Sequence, residues 1–199
     1  MPVEIAPGEA LGFLQCAVEA IAARDGRALV ALDGMAAGGK TTLAGQLSRA
    51  LGGCAVVHMD DFFLPQEKRT RAHYERTLAW ADVARVRDEV LAPLHSGQDA
   101  VYRPYVHHPE PRFLPPVRIA GDERAVIVEG AYALNPALFP FYSLRVLMCV
   151  SPETQRARIL ERNGQALLSR FLSEWIPMEN RHIDAHALPG RADVIVRVP

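Results

Sequence analysis

The sequence predicts an α/β chain built on a parallel β-sheet with helices on both faces. Short, near-continuously apolar runs, Ala28 to Leu32, Cys54 to Met59, Ala125 to Val128 and Leu144 to Val150, read as strands buried from both sides. Stretches of helical periodicity lie between them. The first of these, 40–51, joins two strands within about 30 residues, the length of a crossover unit that leaves its strands parallel.

The elements follow in order. Residues 9–24 place Leu11, Leu14, Ala17 with Val18, and Ile21 at helical spacing, and Asp25-Gly26 closes that helix. The helix from Lys40 ends near Leu51, where Gly52-Gly53 stops it. Gln66 to Arg76 is charged and reads as an irregular surface segment, whereas Val83 to Leu94 is helical and Ser96-Gly97 breaks it. Val101 to Val117 holds five prolines and no helical period, so it reads as extended chain, a hairpin projecting from the core. Residues 152–163 and 165–175 are helical, Pro177 opens a further short helix, and Ala192 to Val198 alternates as a last strand. With neither repeats nor linkers, residues 1–199 are expected to form a single domain.

The stretch Ala28 to Thr42 carries the strongest chemical signal. Gly34-x-x-x-x-Gly39-Lys40-Thr41 lies between a strand and a helix, the context that a phosphate-binding loop requires. Glycines let the backbone curl so that successive N–H groups face phosphate oxygens. The helix adds its positive end. Gly34, Ala36, Ala37, Gly38, Gly39, Lys40, Thr41 and Thr42 are therefore expected around a nucleoside triphosphate, ATP, with the Thr41 hydroxyl on Mg²⁺. The expected class is thus the P-loop NTPase three-layer α/β fold with a parallel β-sheet flanked by helices, plus a small lid.

Composition narrows the alternatives. The 199 residues are 49% hydrophobic and 23% charged, with a net charge of −1, an ordinary balance without the excess of basic charge that nucleic-acid binding uses. No apolar run reaches the ~18 residues of a membrane span, and the first residues lack a signal peptide's basic and apolar regions. A cytoplasmic chain without nucleic-acid or membrane partners is expected. Cys16, Cys54 and Cys149 are widely spaced, with Cys54 and Cys149 in apolar runs, and read as buried free thiols.

The strand ends supply candidates for chemistry, because in a parallel sheet the carboxyl ends of the strands share the edge where ligands collect. His58-Met59-Asp60-Asp61-Phe62-Phe63 ends the second strand. A carboxylate at Asp60 can take a proton from an attacking hydroxyl and help hold Mg²⁺; its plain alternative is a turn former. Glu129 ends the third strand, as a further metal-shell carboxylate or as a partner of a structural Arg. Arg158 and Arg162 share a face of the helix over 152–163 and could close on phosphates, while Arg156 points elsewhere. His58, Trp175 and Met178 read as packing residues. Tyr102 to His108 is the candidate acceptor segment, and its adjacent His107 and His108 point to opposite sides of an extended chain.

Asp60 through Phe63, the loop before them, Ile127-Val128-Glu129-Gly130 and Arg156 to Asn163 together resemble the uridine kinase and phosphoribulokinase family of P-loop kinases. The resemblance runs from about Ala28 to Ala185. It implies Asp60 as catalytic base beside Lys40, Arg158 and Arg162, and Thr41, Asp60 and Glu129 around Mg²⁺. It places Phe63, Tyr102, Tyr105 and His107 at the acceptor, in an insertion over about 60–118, and a lid over about 152–175. The family's Asp-His-Pro element is replaced by Ala72-His73-Tyr74, and Phe63 stands where the family has Tyr. Both changes remove polar partners for a nucleoside. The expectation is γ-phosphoryl transfer to a hydroxyl of a small molecule, a nucleoside first, with pantothenate, a sugar, glycerate or a cofactor precursor as alternatives. An NTP-binding regulatory module is the rival class, although neither Asn-Lys-x-Asp nor a switch-like Asp-x-x-Gly after a strand occurs. Self-association as a homo-oligomer is compatible with the sequence.

Overall fold

The computed structural model describes residues 1–107 and 109–199, with the side chains of all of these except Arg76 and Thr77. The chain opens with a strand too short to carry a pattern, β1 (Val3–Ile5). Helix α1 (Pro7–Asp25) starts on Pro7, buries Ala10, Leu14, Val18 and Ala22, and ends at Gly26 with φ 80°. Strand β2 (Ala28–Gly34) is buried along its whole length and leads through the loop into α2 (Lys40–Ala50). Strand β3 (Ala55–His58) follows, and one tight turn, Met59–Phe62, carries the chain off its end.

The next segment differs from expectation. Residues 71–76 are not irregular but lie in α3 (Arg71–Thr77), whose first turn is capped by the Thr70 hydroxyl accepting from the His73 N–H at 3.1 Å. This helix carries no apolar stripe; Tyr74 alone of its described side chains is buried. Helix α4 (Val83–Arg85), a wider turn over Val86–Leu91 and α5 (Ala92–His95) then run on as continuous helical chain. The proline-rich segment forms two nested antiparallel pairs: β4 (Ala100–Tyr102) and, inside it, β5 (Tyr105–Val106) with β6 (Arg112–Phe113), closed by β7 (Val117–Ile119) on β4. His108, paired with His107 in the sequence reading, lies outside the described residues.

Strand β8 (Ala125–Glu129) is again fully buried, and β9 (Leu144–Val150) follows it. Helix α6 (Pro152–Arg170) is capped by Ser151 and broken at Gly164, which has φ 75° and ψ 173°. A wider turn over Phe171–Trp175 leads into α7 (Ile176–Ala185), then α8 (Leu188–Arg191) and β10 (Val194–Val198).

The main sheet is six-stranded and parallel throughout, in the order β1-β10-β9-β2-β8-β3. Alternate residues of each strand feed opposite faces. Val30, Leu32, Ile127, Val146 and Val196 pack with Leu14, Val18, Leu43 and Leu47 of α1 and α2. On the other face, Leu29, Val126 and Val128 meet the helical chain over 83–95 and the β4–β7 pair, while Leu147 and Ile195 meet α7 and α8. Of the two thiols expected buried from their apolar runs, Cys54 is buried and Cys149 half-buried; Cys16, on α1, is exposed. Among the described residues no helix is long and apolar enough to cross a membrane.

Candidate active site

The carboxyl ends of β2, β3 and β8 bring the loop, Asp60 and Glu129 to one edge, as register dictates: β8 pairs with β2 on one side and β3 on the other, and His58 lies opposite Glu129. Gly34 sits where only glycine fits. It has φ 140°, and a Cβ there would stand 2.0 Å from the Met148 carbonyl oxygen of β9. The loop then turns through Ala37, at φ 56°, and Gly39, at φ 96°.

Four side chains hold this loop from outside. Lys40 Nζ donates to the carbonyls of Gly34 (2.8 Å) and Met35 (2.9 Å). Gln155 Nε2 and Arg158 Nη1, both on α6, donate to the carbonyls of Ala36 and Ala37, each at 3.0 Å. The Ala36 N–H donates to Glu179 Oε2 of α7 at 2.8 Å. Beneath the loop Asp33, 2% exposed, accepts from the N–H groups of Gly34 (2.6 Å) and Leu134 (2.7 Å). Burial nonetheless pushes the Asp33 carboxyl up to about 6.

Glu129 is 4% exposed, and its Oε1 accepts from the Thr41 hydroxyl at 3.0 Å and meets His58 Nδ1 at 2.6 Å. Its partners are therefore a hydroxyl and an imidazole rather than the structural Arg weighed as an alternative. His58 is not a packed strand residue. Its side chain is 44% exposed, and its pKa is raised, chiefly by the bond to Glu129. Asp60 is open to solvent, yet loss of water to the surrounding protein, with Glu129 adding, raises its carboxyl pKa. Solvent access combined with crowding describes the floor of a cleft. Lys40, His58 and Arg162 act on Asp60 in the opposite sense. Arg162 itself bonds Asn163 at 2.8 Å and is exposed, and Thr42 is exposed next to Thr41.

The acceptor candidates lie beyond Asp60. Tyr105 is buried and stands edge-on to both His107 (4.8 Å between centroids) and Phe113 (5.0 Å), and Phe63 lies 6.3 Å from His107. Tyr102 sits deeper, 4% exposed, with its ring 4.9 Å from Phe62 and its hydroxyl bonded to Asp61. Trp175 packs edge-on to Phe171, and Met178 Sδ takes the Trp80 indole N–H at 3.2 Å, both packing roles.

The donor set can be tested against a Mg²⁺ ion. Among the described residues no three His, Cys, Asp or Glu side chains form a metal cage. Mg²⁺ does not need one: it keeps several waters and takes one or two carboxylates plus substrate phosphates. A hydroxyl and carboxylates beside a phosphate loop are hard oxygen donors of that kind, so the residues fit the ion.

No protein-family model matches the chain. Human nicotinamide riboside kinase 2 is 33% identical over 141 residues, which cover 68% of this chain and 57% of that protein. The chain thus spans little more than half the length of that curated relative. A solved structure of a possible uridine kinase from Bacillus stearothermophilus superposes with a TM-score of 0.67 at 25% identity, over 94% of this chain and 96% of that one. In sequence and in fold the chain is thus similar to the uridine kinase-like family of P-loop kinases. D-glycerate 3-kinase from Cryptococcus neoformans, at 15% identity and a TM-score of 0.57 over 85% of this chain and 87% of that one, shares the fold of this family.

Within this site, sequence reading missed Asp33, Gln155, Glu179 and the pairing of His58 with Glu129. Asp33 could have been suspected, since a carboxylate inside an apolar strand must be compensated. Gln155 and Glu179 carry no motif, and only the packing of α6 and α7 against the loop brings them in.

Proposed function

We propose that the chain is a small-molecule kinase that transfers the γ-phosphoryl group of ATP to a hydroxyl. The observation that carries this reading is the position of Asp60. Its carboxylate lies in an open cleft on the strand edge that also presents the phosphate loop and the Thr41–Glu129 pair. Strand β5, which carries Tyr105, packs against the turn that carries Asp60, an aromatic neighbour that a module which only bound or hydrolysed a nucleotide would not need.

In this reading the loop amides and Lys40 hold the phosphates. Lys40 exchanges its bonds to Gly34 and Met35 for phosphate oxygens. Thr41, Glu129 and Asp60 would hold Mg²⁺, which neutralises charge on the phosphates. The acceptor oxygen attacks the γ-phosphorus while Asp60 takes its proton, and the bond to the bridging oxygen breaks with its electron pair leaving on ADP. Arg158 and Arg162 supply positive charge from α6, Arg158 already tethered to the loop through Ala37. His58 orients Glu129 through its Nδ1. The names of the relatives make a nucleoside the first acceptor to try, with sugars, pantothenate and glycerate beside it.

The test is ADP release from Mg·ATP against that panel. One compound should stimulate it strongly, and Asp60→Asn should remove the stimulated rate by about 10²-fold or more, the usual worth of a general base, while ATP still binds. Stimulated turnover that survives Asp60→Asn eliminates Asp60 as the base, and slow hydrolysis indifferent to every compound favours a nucleotide-binding module.

A further inference from the structure

Among the described residues one cation beside the acceptor candidates, Arg69, forms no ion pair. Arg69 lies between the turn after Asp60 and α3, half-buried among the acceptor candidates. Its guanidinium carbon is 5.7 Å from the centre of the Phe63 ring, Nε donates to the Leu64 carbonyl at 2.7 Å, and Nη2 meets the His107 ring. His107 in turn stands edge-on to Tyr105. Arg69 is thus enclosed by the side chains expected to meet the acceptor.

Among the described residues Arg69 forms no salt bridge, whereas nearby Arg71 pairs with Glu75 at 2.6 Å. The ionisable groups that act on it are Tyr105, a neutral phenol near pH 7, and a second guanidinium, Arg170, at the end of α6. Arg170 is already satisfied by Glu174 at 3.0 Å and lies over Trp175. Loss of water, with the like charge of Arg170 adding, lowers the Arg69 pKa. A guanidinium has five N–H donors in a planar fork that suits carboxylate or phosphate. Holding it half-dehydrated beside another cation is unfavourable without an anion.

The acids lie elsewhere. The groups acting on Asp60 are Glu129, Lys40, His58 and Arg162, and those acting on Asp61 are His58, Asp60, Tyr102 and Glu129; Arg69 is in neither set. Arg69 therefore stands apart from the Asp60, Asp61 and Glu129 carboxylates, with Phe63 and His107 beside it and Tyr105 edge-on to His107. The geometry points to an acceptor that is an organic anion, an alcohol whose hydroxyl lies at Asp60 while its carboxylate or phosphate group pairs with Arg69. A neutral nucleoside leaves Arg69 without its counter-ion, and a cationic one such as nicotinamide riboside places like charge against it.

This inference rests on the kinase reading for the hydroxyl end and on Arg69 alone for the anion end, so binding and turnover are measured separately. Binding of D-glycerate, pantothenate, ribose 5-phosphate, uridine and nicotinamide riboside is followed by calorimetry with Mg·AMP-PNP present. At least one anion should bind more tightly than either nucleoside. Arg69→Gln should weaken that anion by roughly tenfold or more, the worth of a charge-assisted pair, while Arg71→Gln, on the exposed face of α3, leaves it unchanged. Preference among the anions separates carboxylate from phosphate. Failure of every anion to bind, tighter binding of a nucleoside, or an anion affinity indifferent to Arg69→Gln overturns the inference. An anion that binds through Arg69 but is never phosphorylated in Mg·ATP counts against the kinase reading instead.

Discussion

At Ala36 a carboxylate occupies an N–H of the phosphate loop. Glu179 reaches it from α7 at 2.8 Å, where burial, with Asp33 and Asp60 adding, raises its pKa against the pull of Lys40. A negative side chain so near the triphosphate opposes binding of ATP without metal, since the protein around it weakens solvent screening. Glu179→Gln keeps an oxygen for the Ala36 N–H and removes the charge. It should tighten binding of Mg-free ATP by about three- to tenfold, the effect of roughly 1 kcal/mol of relieved repulsion, and calorimetry without metal reads it directly. Unchanged or weaker binding means that the charge is screened or already neutral. The sequence could not announce this residue. Lys40, Thr41, Asp60 and Glu129 follow strands whose apolar runs fix where they end, so their edge was legible. Glu179 and Gln155 sit on helices whose docking is set by side-chain packing that no short pattern encodes.

The helices illustrate the same division. Residues 152–163 and 165–175 were legible as two helical stretches because Gly164 separates them, and the chain does bend there. Helix α3 was not, because a single cap at Thr70 and one buried Tyr74 hold it with no periodic stripe to see. Gly164 has φ 75° and ψ 173°, a conformation close to glycine-only, and nothing lies within 4 Å of where its Cβ would be. The cost of Gly164→Ala is thus backbone strain rather than collision. The segment before the bend is anchored by Gln155 and Arg158 on the loop, so relief must come from movement of the segment after it. Gly164→Ala should lower stability by about 1–3 kcal/mol, seen as an earlier urea midpoint, with ATP affinity retained. Loss of ATP affinity along with stability would instead show that the bend holds the loop itself.

Across the whole molecule the sheet edge collects buried ionisable groups, and their titration shapes stability with opposite signs. His182 of α7, 2% exposed, faces Tyr132 edge-on at 5.0 Å and His186 at 4.8 Å, with Nε2 4.0 Å from Asp33 Oδ2. Burial first, then His186, lowers its pKa to about 3. The folded chain therefore keeps His182 neutral while the unfolded chain takes up a proton below about 6.5, so its contribution is complete above that pH and declines as pH falls toward 3. Asp33 runs the other way. Its pKa is raised to about 6, so the folded chain binds a proton more readily than the unfolded one, and stability rises as pH falls from 6 toward 3.8. Between pH about 7.5 and about 4.5 the two largely offset one another, at roughly 2–3 kcal/mol each. His182→Phe keeps an aromatic ring against Tyr132 and removes only one side of that balance. The variant should gain about 2–3 kcal/mol relative to the unsubstituted chain on going from pH about 7.5 to about 4.5, measured as the change in urea unfolding free energy. Parallel pH profiles for the two proteins would mean that His182 titrates alike in the folded and unfolded chains, so that burial against Tyr132 and His186 does not hold it neutral.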